Sequence, residues 1–151
     1  MEKKIKELKY TDSQAKQMLQ ELVKRKRVYE QVKNRCKGWQ FLFFILTSLF
    51  FLYLYFFLYV PYNGQIGFVI HAFITESKHI FYILLLGSCY GMIFYYKKKE
   101  EKKEKEYHEL RCEIIEKSTD LWKSDDAWRE REDVFAMMKQ QYDINLYFES
   151  K

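Results

Sequence analysis

The chain has 151 residues, a net charge of +5, 31% charged and 19% aromatic side chains, and a mean hydropathy of −0.44. The length fits one domain, and three cysteines with no CxxC pair argue against a disulfide framework. The negative mean hydropathy conceals a segregation: charges crowd the two ends of the chain and apolar residues its middle.

Residues 1–38 hold 12 Lys and Arg against 5 Asp and Glu. Thr11-Asp12-Ser13-Gln14 resembles a capping box that opens a helix. From there Ala15, Met18, Leu22, Arg25, Tyr29, Val32 and Cys36 alternate spacings of three and four, a heptad seam broken only at Arg25. The pattern predicts a helix to about Lys37, with Gly38 as the place for an interruption.

Residues 39–60 read WQFLFFILTSLFFLYLYFFLYV, without one charge. At about 1.5 Å per residue this run can cross a hydrocarbon core of about 30 Å as a helix. It starts too late and is too long for the apolar part of a signal peptide, so a permanent signal-anchor is expected. Residues 61–78 form the connection. There Ile66, Val69, Ile70, Phe73 and Ile74 share one helical face, which predicts a short amphipathic helix resting in the outer interface.

Residues 79–96, HIFYILLLGSCYGMIFYY, are the second predicted span. Starting it at Ile66 would carry Glu76 and Lys78 into the bilayer, at about 2.5–3.5 kcal/mol each if central. Residues 97–151 hold 13 basic and 15 acidic side chains. Tyr107, Leu110, Ile114 and Leu121 continue a helical seam. Ser124-Asp125-Asp126 predicts a stop and a new helix start, with Trp128, Phe135, Met138 and Tyr142 as the next apolar stripe. The last segment, Asp143 to Phe148, reads as extended or turn-like.

Charge sets the expected topology. Basic clusters precede the first span (Lys24 to Arg27, Lys33, Arg35, Lys37) and follow the second (Lys97 to Lys105), while the connection holds only Lys78. The positive-inside rule then puts both ends in the cytoplasm. The expected fold is all-α: a two-pass transmembrane helical hairpin with cytosolic, coiled-coil-like extensions at both ends. If those extensions run as antiparallel neighbours, facing residues have numbers summing to about 135, which three apolar pairs nearly satisfy at 136. Ala15 then meets Leu121, Leu22 meets Ile114, and Tyr29 meets Tyr107. The same register sets Arg27 by Glu109, and Lys26 imperfectly against Leu110.

Motifs for chemistry are sparse. Gly87 and Gly91, with Ser88 between them, form a small-residue stripe that lets membrane helices approach closely, against the first span or another copy. His108 and Cys112 sit one helical turn apart and could ligate zinc, but no third ligand is apparent and a solvated helix face is the better reading. No cofactor, metal or catalytic activity is expected. The basic clusters flank the membrane, which makes anionic lipid headgroups the expected partner and not nucleic acid.

The strings EYHELRCEIIEKSTDLW and WREREDVFAMMKQQYDINLYFESK, after two spans, carry a further signal. With them the chain resembles the YpbF-like family of uncharacterised bacterial membrane proteins over nearly its whole length. The resemblance implies a two-pass cell-membrane protein of Gram-positive bacteria and transfers no functional residue. The expected role is a small membrane-anchored interaction or scaffold module acting through its cytosolic helices, with a protein partner or a second copy. The alternative is an oligomeric pore-forming or membrane-perturbing protein, holin-like or a two-helix effector.

Overall fold

The structure, a computed structural model, describes residues 2–8 and 11–148, and every regular element among them is helical. In chain order these are α1 (Lys3–Lys6), α2 (Ser13–Leu54), a π-helical turn (Tyr55–Tyr59), α3 (Ile66–Thr75), α4 (Ser77–Glu116), α5 (Ser118–Leu121) and α6 (Asp125–Tyr142). The fold is all-α. Two of its helical stretches, Ser13–Tyr59 and Ser77–Glu116, are long and apolar enough to cross a membrane.

The start of α2 differs from the capping-box reading by one residue. The Lys16 N–H donates to the Asp12 carbonyl at 3.0 Å, so Asp12 occupies the cap position and Thr11 lies outside it. Gly38 interrupts nothing, because α2 runs through it unbroken. A lone glycine costs a helix only about 1 kcal/mol relative to alanine, too little to break one that continues on both sides.

The chain divides into two compact units. The polar unit comprises residues 1–31 and 100–151, and the apolar unit comprises residues 32–99. In the apolar unit, aromatic pairs join α2 to α4: Phe50 stacks on Tyr82 at 4.7 Å between centroids, and Phe43 lies tilted to Tyr90 at 6.1 Å. Most other large side chains there face outward.

The end of the first apolar run is reshaped locally. The Val60 N–H reaches the Tyr55 carbonyl at 3.0 Å, the five-residue step of a π turn. Pro61 follows, and Asn63 (φ 48°) with Gly64 (φ 72°) turns the chain in left-handed geometry. A side chain at Gly64 would be strained by its φ and would put a Cβ 3.1 Å from the Tyr59 hydroxyl. The connection then forms α3, as its periodicity predicts, and α3 packs against the π turn.

In the polar unit one core gathers every element. Ile5 of α1, Ala15, Leu19, Leu22 and Val23 of α2, Tyr107, Leu110 and Ile114 of α4, Leu121 of α5, and Val134, Phe135 and Met138 of α6 are all buried together. Trp122 joins them, 1% exposed and edge-on to Phe135 at 5.7 Å.

Candidate interaction surface

The seam residues of α2, α4 and α5 share one core. Ala15, Leu22, Ile114 and Leu121 all lie in it, and the Tyr29 and Tyr107 rings are stacked 6.3 Å apart with planes 4° from parallel. Arg25, the break in the heptad, stays at the edge: its Nη1 donates to the Glu106 carbonyl at 3.0 Å. Glu106 is in turn held below the usual carboxylate range, chiefly by a hydrogen bond from Lys103. Burial pushes the Tyr107 hydroxyl up. The charge pairs differ from the register's expectation. Arg27 Nη1 bonds Glu2 at 2.8 Å, while Glu109 lies 3.9 Å from Lys105 on its own helix.

Ser124 caps α6 as its sequence indicates, with its hydroxyl accepting from the Ala127 N–H at 3.2 Å and Asp125 and Asp126 in the first turn. The stripe behind it is shifted. Ala127 and Val134 turn inward with Phe135 and Met138, whereas Trp128 is 40% exposed and turns outward. The Arg131 guanidinium lies 3.8 Å from the centre of the Trp128 ring, one turn along α6.

The C-terminal segment is a strap. Asp143 ends α6 in left-handed geometry at φ 54°, and beyond it Ile144 and Leu146 are buried on either side of a half-buried Asn145, while Tyr147 and Phe148 are exposed. Two buried cations grip its backbone. Lys26 of α2 donates to the carbonyls of Tyr142 (2.8 Å) and Asp143 and to the Asp143 carboxylate (2.9 Å). Arg111 of α4 donates to the Phe148 carbonyl at 3.0 Å. Lys26, which the sequence register sets awkwardly against Leu110, thus has its head group drawn to the end of α6. That bond is also the main reason why the Asp143 carboxyl is held below its ordinary range.

Arg131 stands between the Trp128 and Phe135 rings, and Tyr147 packs on the same Phe135, so Trp128, Arg131 and Tyr147 make a partly exposed aromatic and cationic face. Tyr147 meets Phe135 edge-on at 5.6 Å, and its hydroxyl donates to the Glu132 carbonyl at 3.3 Å. Trp, Tyr and Arg are the residue types enriched among the hot spots of protein–protein interfaces. The sequence signal for this face was the Trp128/Arg131 spacing of three, masked because Trp128 also fits an inward stripe.

The remaining sequence candidates stand apart from it. A Cβ on Gly87 or Gly91 would meet nothing within 4 Å, so the described chain brings no helix close there. The Ser88 hydroxyl bonds the Leu84 carbonyl of its own helix at 2.8 Å. His108 lies 3.9 Å from Glu104, and among the described residues no three His, Cys, Asp or Glu side chains gather as metal ligands.

Comparison with known proteins gives the family. The chain is 43% identical over 142 residues to the "Uncharacterized protein YpbF" of Bacillus subtilis (strain 168), an alignment covering 94% of this chain and 93% of that one. No solved structure matches. The family model described as "Protein of unknown function (DUF2663)" matches residues 18–149, a span that includes both apolar runs, the strap and the seam from Met18 onward, and the chain belongs to that family.

Proposed function

We propose that this is a two-pass integral membrane protein with both ends in the cytoplasm, acting as a membrane-anchored interaction module through its polar unit. The observation that carries the anchoring is exposure. Phe41, Phe44, Phe51, Phe81 and Phe94 are each at least 65% exposed on the two long apolar helices. A soluble protein rarely leaves apolar patches of that extent in water, whereas lipid is a suitable solvent for them. The basic residues flanking both runs then contact anionic headgroups on the cytoplasmic side. The interaction role is supported by the Trp128–Arg131–Tyr147 face, which lies on a unit with its own buried core.

Reporter fusions at residues 1 and 151 test the topology: both should read cytoplasmic, and an outside signal from either end would sink the hairpin. Cross-linked pull-down from native membranes tests the role. A partner recovered with the wild-type chain should be lost with Trp128→Ala and Arg131→Ala, while both variants stay in the membrane fraction. Recovery unchanged by both substitutions places the contact elsewhere.

A further inference from the structure

A cavity of about 510 Å³ opens in the apolar unit between the π turn, α3 and the start of α4. Its size lies within the roughly 300–1,000 Å³ of small-molecule sites, and π turns are frequent at functional sites. Tyr53, Phe57, Tyr62 and Phe68 supply aromatic walls, and Glu76 and Lys78 supply charge. These are the only acidic side chain and the only Lys or Arg in residues 61–78, so both charges of the connection line one cavity.

The floor is fixed before any ligand arrives. His79 is 1% exposed and stacks on Phe73. Its Nδ1 lies 2.8 Å from the Phe73 carbonyl, which can only accept, so Nδ1 carries the proton. Nε2 lies 3.2 Å from the Tyr53 hydroxyl. The charged groups are instead easy to recruit. Glu76 and Lys78 pair at 3.3 Å with side chains 53% and 79% exposed, an arrangement worth little in water and readily exchanged for other partners.

We propose that this cavity takes a zwitterionic phosphate–ammonium group, the headgroup of an aminophospholipid. The ligand ammonium replaces Lys78 on the Glu76 carboxylate, next to aromatic faces that favour a cation. The phosphodiester takes the released Lys78 ammonium. One charge of each sign balances a zwitterion, whereas an anionic headgroup would meet repulsion from Glu76. The inference rests on the membrane reading above, which puts this connection at the bilayer surface.

The test uses the full chain purified in detergent and reconstituted with equal phosphatidylethanolamine and phosphatidylglycerol, with retained lipid counted by native mass spectrometry. The wild-type chain should retain phosphatidylethanolamine at least about 5-fold over phosphatidylglycerol. Glu76→Gln with Lys78→Gln should bring the ratio to about 1, and Glu76→Gln alone should turn it toward phosphatidylglycerol. Equal retention by the wild-type chain, or a preference that survives the double substitution, overturns the proposal. Free phosphoethanolamine is the second arm: binding as tight as that of the lipid would move the source to solution and overturn the lipid assignment. Alkaline extraction of native membranes separates the two readings. A chain washed out by alkali defeats the membrane reading, and a chain retained without lipid preference defeats the headgroup site alone.

Discussion

The two units treat the same kinds of side chain in opposite ways. In the polar unit Leu19, Leu22 and Ile114 are fully buried, and in the apolar unit Phe44 and Phe81 are 69% and 72% exposed. The polar unit is the less hydrophobic in sequence, yet it holds the larger core. Where polar residues are plentiful, each apolar one marks a contact; where nearly every residue is apolar, hydrophobicity says nothing about which face packs. Within the apolar unit α2 and α4 are joined by ring pairs, as at Phe50 and Tyr82, and by hydrogen bonds such as that between Tyr53 and His79.

Core truncation should give the largest effect and the sharpest separation. Ile114→Ala removes a fully buried side chain and should cost the polar unit about 2–5 kcal/mol, read as lost hydrogen-exchange protection in residues 13–31 and 107–146. Protection in residues 79–96 should not change. Equal loss in both regions would mean that the units do not differ in this way. Cysteines at positions 22 and 114, in a background lacking the native three, should cross-link within one chain. Exclusive 22–22 and 114–114 products would overturn the intramolecular seam.

Lys26→Met leaves the carbonyls at the end of α6 without their buried donor and should cost about 1–3 kcal/mol, detected as early release of the strap in exchange measurements. Ser124→Ala removes the α6 cap and should cost about 1 kcal/mol in chemical denaturation.

Asp143 gives a smaller, pH-dependent effect. Its carboxyl is held low by Lys26, so its contribution is present above the unfolded value of about 3.9 and is lost as pH falls through the folded one. The side chain is 97% exposed, and solvent screening limits the contribution to about 1 kcal/mol or less. Denaturation curves should show Asp143→Asn less stable than the wild-type chain above about pH 4, with the difference closing as pH falls through the folded value of Asp143.

The smallest intrachain effect should come from Gly87→Leu with Gly91→Leu, since open space surrounds both positions. Thermal stability of the single chain should hold while association between copies in detergent weakens. Unchanged association would make the stripe incidental.

Legibility followed locality. The Ser124 cap needs only its own four residues, and the α2 and α4 seams need only a period. The strap was harder. Ile144 and Leu146 alternate with polar neighbours, a strand-like signal, but nothing in that signal says what they dock against. Lys26 looked like a flaw in a layer because its partner lies 116 residues away in sequence. Trp128 misled because bulk suggests burial, whereas the smaller Ala127 fits where α6 meets the core. The π turn at Tyr55–Tyr59 has no period that distinguishes it from α-helix over five aromatic and aliphatic residues.

The strap also sets the order of events during synthesis. Ile5, Leu19 and Leu22 are made before the apolar unit, but the core that covers them is completed only by Ile144 and Leu146, made after it. The first helix must therefore wait through the making of the entire apolar unit, with its seam uncovered. A chain interrupted before Ile144 would lack these last core pieces, so the packing of the polar unit reports whether both of its sequence-distant halves were made.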